Sequence, residues 1–237
     1  RRGICKDTLS CYMRSLRAVY NKAVEQGLTE QKEPFGNVFT GISRTRKRSI
    51  EKADINKLRA VQVKPGSFMQ LVRDVFLFCF YACGMPFVDV AFLKKSQIKG
   101  GILVYHRRKT DQVVQIKLEP CMQEIVDRYN IPGSPYLLPI IARPGMDERK
   151  QYINASHRIN RYLKAIGKEL GLSVPLTHYV ARHSWASAAR SKNIPISVIS
   201  ESMGHDSENT TRIYLTTLDT ATIDKANRLI LNSLCRE

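Results

Sequence analysis

The sequence predicts a mainly helical fold that carries a small antiparallel β-sheet. Most segments place their apolar residues at helical spacing, and one stretch near residues 102–118 changes to a β-rich pattern. A content of 43% apolar and 25% charged residues suits a chain that builds a real core. Its 237 residues allow one sizeable domain, or one domain with a small partner. The longest apolar stretch, Val75 to Val88, is interrupted by Gly84 and Pro86. It falls short of the ~18 to 20 residues a spanning helix needs, so no membrane segment or membrane partner is expected.

Taken in order, Leu9, Tyr12, Met13, Leu16, Val19, Tyr20, Ala23 and Val24 form a helical stripe that Gly27 would stop. Arg14, Arg17 and Lys22 lie off that stripe, suited to tracking phosphates or simply to solvation. Further helical patterns cover about 51–62, 68–82 and 86–93, the last with Pro86 in the first turn, where proline is favoured. Residues 102–106 and 113–118 read as two strands of a hairpin whose turn, Arg107-Arg108-Lys109-Thr110-Asp111-Gln112, is strongly cationic. Helical patterns resume near 120–130, 154–170, 178–190, 195–203, 207–216 and 221–234.

The 38 Lys+Arg against 21 Asp+Glu give a net charge of +17, which makes nucleic acid the first partner to expect. Residues 41–50 contain Arg44, Arg46, Lys47 and Arg48, lack apolar periodicity and read as a basic linker passing close to a DNA backbone. A nuclear localisation signal is the competing reading of that run. The six cysteines show no CxxC pair and no zinc-like spacing, and read as reduced thiols of a cytoplasmic protein. No apolar signal core follows the N-terminal charges, so export is not expected.

The five histidines form no HExxH pattern, and GxSxG, Walker and GxGxxG motifs are missing, so neither a metal nor a cofactor is expected. Phosphate chemistry would then rest on cations, an acid and a side-chain nucleophile. The segment from His178 to Ser187 sets Arg182 and His183 in an otherwise apolar helical pattern, where a buried charge is costly without an anion. Downstream, Gly204-His205 precedes Tyr214 by nine residues from the histidine.

Arg182-His183, then Gly204-His205, then Tyr214 resemble the tyrosine recombinase, or phage integrase, family. The text around them, Tyr-Val-Ala-Arg-His-Ser-Trp-Ala and Ile-Pro-Ile-Ser-Val-Ile-Ser-Glu-Ser-Met-Gly-His, resembles integrases of Bacteroides-type mobile elements. The resemblance implies that residues 1–40 are the C-terminal part of a helical core-binding domain that clamps DNA, 41–50 a linker, and 51–237 a tyrosine recombinase-like catalytic domain. It implies Tyr214 as nucleophile, forming a 3′-phosphotyrosine. Arg182 and His205 would hold the phosphate oxygens, and Lys109 would be the acid for the leaving oxygen. His183 and Asp89 would support the site. Arg14, Arg17, Arg44, Arg46, Lys47, Arg48, Arg107 and Arg108 are expected on the DNA backbone.

Two positions depart from the family pattern. Tyr179 stands where a histidine is expected three residues before Arg182, and can donate a hydrogen bond but is a poor base, its ordinary pKa being about 10. Pro86 stands where the first catalytic arginine belongs, and Cys83 occupies an alternative position for it, so that either another cation such as Arg73 or Lys94 substitutes, or cleavage is slow, or the change is disabling. The expected function is a site-specific recombinase acting on double-stranded DNA. The synapse would be a homo-tetramer built through the C-terminal segment 222–231, with accessory DNA-bending proteins, in the bacterial nucleoid. The alternatives are a cleavage-deficient DNA-binding accessory protein and a type IB topoisomerase-like relaxase.

Overall fold

A computed structural model describes residues 3–41 and 48–215. The chain divides into two units, Arg1–Lys47 and Arg48–Glu237. In the first, α1 (Lys6–Glu25) ends as expected, with Gly27 at φ +67°. Its apolar stripe, however, is not a core face. Leu9, Tyr12, Leu16 and Val19 are exposed, and Ser10 alone is buried, donating its hydroxyl to Gly41 O at 2.6 Å. Tyr20 packs edge-on against Phe35 and ties back the 30–32 segment, donating to Glu30 O and accepting from Lys32 N.

The second unit is built around α3 (Phe68–Tyr81), whose residues Val72 and Val75 to Cys79 are all buried. A helix apolar on every side has to be surrounded. Around it lie α2 (Lys52–Ala60), α4 (Phe87–Ala91), α5 (Pro120–Arg128), α6 (Glu148–Glu169) and α7 (His178–Ser191). Asp74, the buried acid of α3, is satisfied by Arg73 Nε at 2.9 Å, Arg128 Nη1 at 2.6 Å and the Tyr129 hydroxyl at 2.9 Å, which locks the end of α5 to α3. A smaller apolar cluster joins Ala186 and Ala189 of α7 to Ile199 of α8 (Ile196–Ser202), Met203 and Leu215, which follows α9 (Glu208–Tyr214).

The sheet has three antiparallel strands in the order β1 (Ile98–Lys99), β2 (Ile102–His106) and β3 (Val113–Lys117). Leu103 pairs with Ile116 and Tyr105 with Val114, so these four side chains share the buried face. The two-residue β1 is too short to announce itself by alternation. Helix α6 starts at Glu148, earlier than its apolar spacing suggests, because Asp147 caps it by accepting from Lys150 N at 3.0 Å. Pro86 is the N-cap of α4 and not a first-turn residue. No described helix is long and apolar enough to cross a membrane. The expected helix over 221–234 lies outside the described residues.

Candidate active site

Helix α7 carries Arg182 on its inward face, beside the buried Val180 and Ala181. The residue is 3% exposed. Its Nη1 donates to Gly84 O at 2.8 Å, and its Nη2 donates to Met203 O at 2.8 Å and meets His205 Nε2 at 2.7 Å. Arg182 thereby joins the α3–α4 turn to the turn that follows α8. That approach requires glycine at 84: φ is +70°, and a Cβ would lie 3.0 Å from Arg182 Cα.

The same contact fixes the state of His205. A guanidinium only donates, so Nε2 must accept, and the ring proton sits on Nδ1, which donates to Thr211 Oγ1 at 2.7 Å. Burial holds His205 at a pKa of about 4, with the positive charges of Arg182, Arg107 and Lys109 acting in the same direction. Burial, and then the charge of Arg107, lowers Arg182 to about 10.

The cationic hairpin turn closes the cluster from the other side. Lys109 is exposed on it, and its charge reaches His205. Thr110 Oγ1 donates to Gly204 O at 3.4 Å, and Gln112 Nε2 donates to His205 O at 3.2 Å. Arg108 is exposed, with its guanidinium 4.1 Å above the Phe92 ring, while its backbone N–H donates to Asp89 Oδ1 at 3.0 Å.

Arg107, expected on the DNA backbone with Arg108, is buried where Arg108 is exposed. The alternation of β2 buries Leu103 and Tyr105, and Arg107 continues that inward face at 6% exposure. Its Nη1 donates to Gly204 O, and its Nε stands 3.7 Å from Asp89 Oδ2. Asp89 is buried, and burial raises its carboxyl above the ordinary range against the pull of the Arg108 N–H, Arg107 and Arg182.

Among the remaining expected residues, Tyr179 is half-exposed and sets its ring edge-on to His183, with centroids 4.7 Å apart. Burial, aided by Arg48 and Arg182, lowers His183 to about 4. Pro86 contributes its carbonyl to Asp89 N and Val90 N, and Cys83 sits at φ +55° with its thiol pushed up by burial. Neither expected substitute for the first arginine reaches the cluster: Arg73 is held by Asp74 and Val61 O, and Lys94 is an exposed residue paired with Tyr136 in an isolated bridge. Arg14, Arg17 and Arg48 are exposed, with Arg17 donating to Thr40 Oγ1. Arg44, Arg46 and Lys47 lie outside the described residues, as does the side chain of Tyr214, the last residue of α9.

Sequence reasoning missed Thr211 and Ser184. Thr211 is fully buried six residues after His205, a spacing with no motif attached. Ser184 receives Ile50 N–H at 2.9 Å and donates to Val180 O, fastening the start of this unit to α7.

Three histidines held near 4 make an expectation for stability. His178 is lowered by burial alone, stacked on Phe87 at 4.7 Å with Nε2 3.1 Å from Ser156 Oγ. With His178, His183 and His205 ordinarily near 6.5 and lowered to about 4 on folding, the unfolded chain binds more protons between those values. The DNA-free protein therefore loses stability as pH falls from about 6.5 toward 4, with Asp89 opposing weakly. Melting curves across that range test this, and His178→Asn should flatten the slope; a Tm constant from pH 7 to 4.5 would contradict it.

A buried guanidinium joined to a neutral histidine beside a cationic turn has the chemistry to receive an anion. The phage integrase family model matches residues 49–220, and the chain belongs to that family. Tyrosine recombinase XerA of Pyrococcus furiosus is 28% identical over 196 residues, covering 80% of this chain and 63% of its own length. The chain thus spans less than two thirds of that relative. Two solved structures share the fold. The Tn1549 transposon integrase in complex with circular intermediate DNA has a TM-score of 0.69 at 14% identity, over 95% of this chain and 80% of that one. A lambda integrase dimer bound to a COC′ core site has 0.63 at 19%, over 87% and 75%.

Proposed function

We propose that the chain is a site-specific DNA recombinase that breaks and rejoins strands through Tyr214. The observation that carries this is the buried Arg182–His205 pair, held at 2.7 Å on the turn that leads into the helix ending at Tyr214. In the reaction the Tyr214 oxygen bonds to the scissile phosphorus, and its proton passes to water. The bond from phosphorus to the 5′ oxygen breaks, and Lys109 protonates that oxygen. Arg182 donates to the non-bridging oxygens, where charge grows in the transition state. His205, an acceptor from Arg182 in the DNA-free protein, gains a proton from water at Nε2, where the phosphate's charge favours it, and donates to the same phosphate. Asp89, Tyr179 and His183 hold the surroundings. Rejoining reverses the steps with a new 5′-hydroxyl, and the exchange of one phosphodiester for another needs no added energy source.

Residues 1–40 serve as part of a DNA-clamping domain, 41–50 as the linker and 51–237 as the catalytic domain, a layout supported by the division at Lys47 and Arg48. The net charge of +17 supports duplex DNA as the partner, with binding that weakens steeply as salt rises. Assembly on DNA is a tetramer through segment 222–231, with accessory DNA-bending proteins, in an integrase of a Bacteroides-type mobile element acting at the nucleoid.

Covalent trapping tests the proposal. On a nicked suicide duplex carrying the element's own core site, the chain should form a DNA adduct, and Tyr214→Phe should form none while still binding. Binding without an adduct by the unaltered chain would leave only a DNA-binding protein. Relaxation of supercoiled DNA that needs no pair of sites would favour a relaxase.

A further inference from the structure

We infer that Arg107 is the second phosphate-binding guanidinium of this site, delivered from the hairpin and not from the α3–α4 turn. The inference rests on reading the site as a phosphodiester-transfer centre. Three observations carry it.

First, two consecutive carbonyls of one turn hold the two arginines. Met203 O accepts from Arg182 and Gly204 O accepts from Arg107, and His205 follows directly. Beyond the effect of burial, the positive charges of Arg182, Arg107 and Lys109 all act on the His205 ring.

Second, the charges do not balance within the protein. Arg107 and Arg182 are both at least nine-tenths buried, and among the described residues Asp89 is the one buried carboxylate that acts on both. A guanidinium placed to neutralise a carboxylate binds it through two parallel N–H bonds. Here Arg107 Nε and Asp89 Oδ2 stand 3.7 Å apart, and both are buried without a hydrogen-bond partner. Asp89 orients Arg107 without quenching it. Burying a cation in this unsatisfied state is costly unless an anion completes the site.

Third, among the described residues neither of the cations expected for the role reaches the cluster. The α3–α4 turn offers a carbonyl at Gly84 and Pro86 as a helix cap, Arg73 is held by Asp74 and Val61 O, and Lys94 is exposed. A phosphodiester's non-bridging oxygens, each a strong acceptor, are the chemistry that two convergent guanidinium groups recognise.

The test uses two nicked suicide duplexes with the element's core site. One carries the ordinary scissile phosphate, and the other a methylphosphonate there, in which a neutral methyl replaces one charged oxygen. Arg107→Ala should lower the adduct-forming rate on the phosphate by about 10²-fold or more. On the methylphosphonate, where there is less charge to stabilise, the deficit of Arg107→Ala relative to the unaltered chain should largely disappear. Arg107→Lys, which retains the charge, should fall between them on the phosphate, and it carries the comparison if the alanine variant melts before the assay temperature. An Arg107→Ala rate equal to the unaltered chain on the phosphate would overturn the inference, as would equal losses on both duplexes, which mark a purely structural arginine. Failure of the unaltered chain to form any adduct on the phosphate is a different result and would overturn the proposed function itself.

Discussion

Arg182→Ala is expected to stop DNA cleavage and to weaken the fold together. The chemical loss is the removal of one donor to the transition-state oxygens, a rate factor of roughly 10² to 10³. The structural loss follows from what the guanidinium holds when DNA is absent. Gly84 O, Met203 O and His205 Nε2 each lose a donor. A buried acceptor left unmet costs about 1–3 kcal/mol, less whatever water entering the space restores. Arg182→Lys separates the two effects, since an ammonium retains the charge but cannot reach three acceptors in one plane. Single-turnover cleavage and melting curves of both variants check this. The alanine variant should be the least active and melt the lowest, and the lysine variant should recover more stability than rate. Cleavage by Arg182→Ala at the unaltered rate would remove Arg182 from the site.

The second large effect is expected at Gly204. Its φ of +60° disfavours any side chain, costing about 1–2 kcal/mol, and a Cβ there would collide with Arg107 Cδ and stand 2.9 Å from Val114 Cγ2. Val114 is a buried strand residue with no room to retreat, so the turn or the Arg107 side chain has to move. Either shift displaces His205, the next residue, and misplacement by about 1 Å costs on the order of 10²-fold in rate. Gly204→Ala should therefore form adduct far more slowly, with a lowered Tm. Gly66→Ala is the control, because Gly66 shares the positive φ at +73° and a Cβ there meets nothing within 4 Å. It should pay the backbone strain alone and leave the rate unchanged. Equal rates for the two glycine variants would mean that the Gly204 contact does not position the site.

Much of this was legible because it is written in local patterns. The strands 102–106 and 113–118 show as β-rich runs, and α3 shows in the helical spacing of about 68–82. Arg182, His205 and Tyr214 stand at recognisable spacings along the chain. Other features depend on partners distant in sequence. The α1 stripe has the spacing of a core face, but periodicity states only that one face is apolar, and Leu16 and Val19 remain exposed. Tyr179 at 39% exposure shows the same limit at the site, since helical position alone does not fix what covers a side chain.

By itself, the sequence determined the helical class, the cationic hairpin and the residue types suited to phosphate, since each is encoded within a few neighbouring residues. Only the tertiary structure decided which cation enters the site. Arg107, Arg108 and Lys109 are adjacent and chemically alike along the chain. The pleat of β2 sends the first inward to Gly204 and Asp89, lays the second on Phe92 and leaves the third exposed on the turn. A strand alternates its faces at every residue, so one position separates a buried guanidinium from an exposed one, and the packing of α8 and α4 against that face settles what the buried one meets.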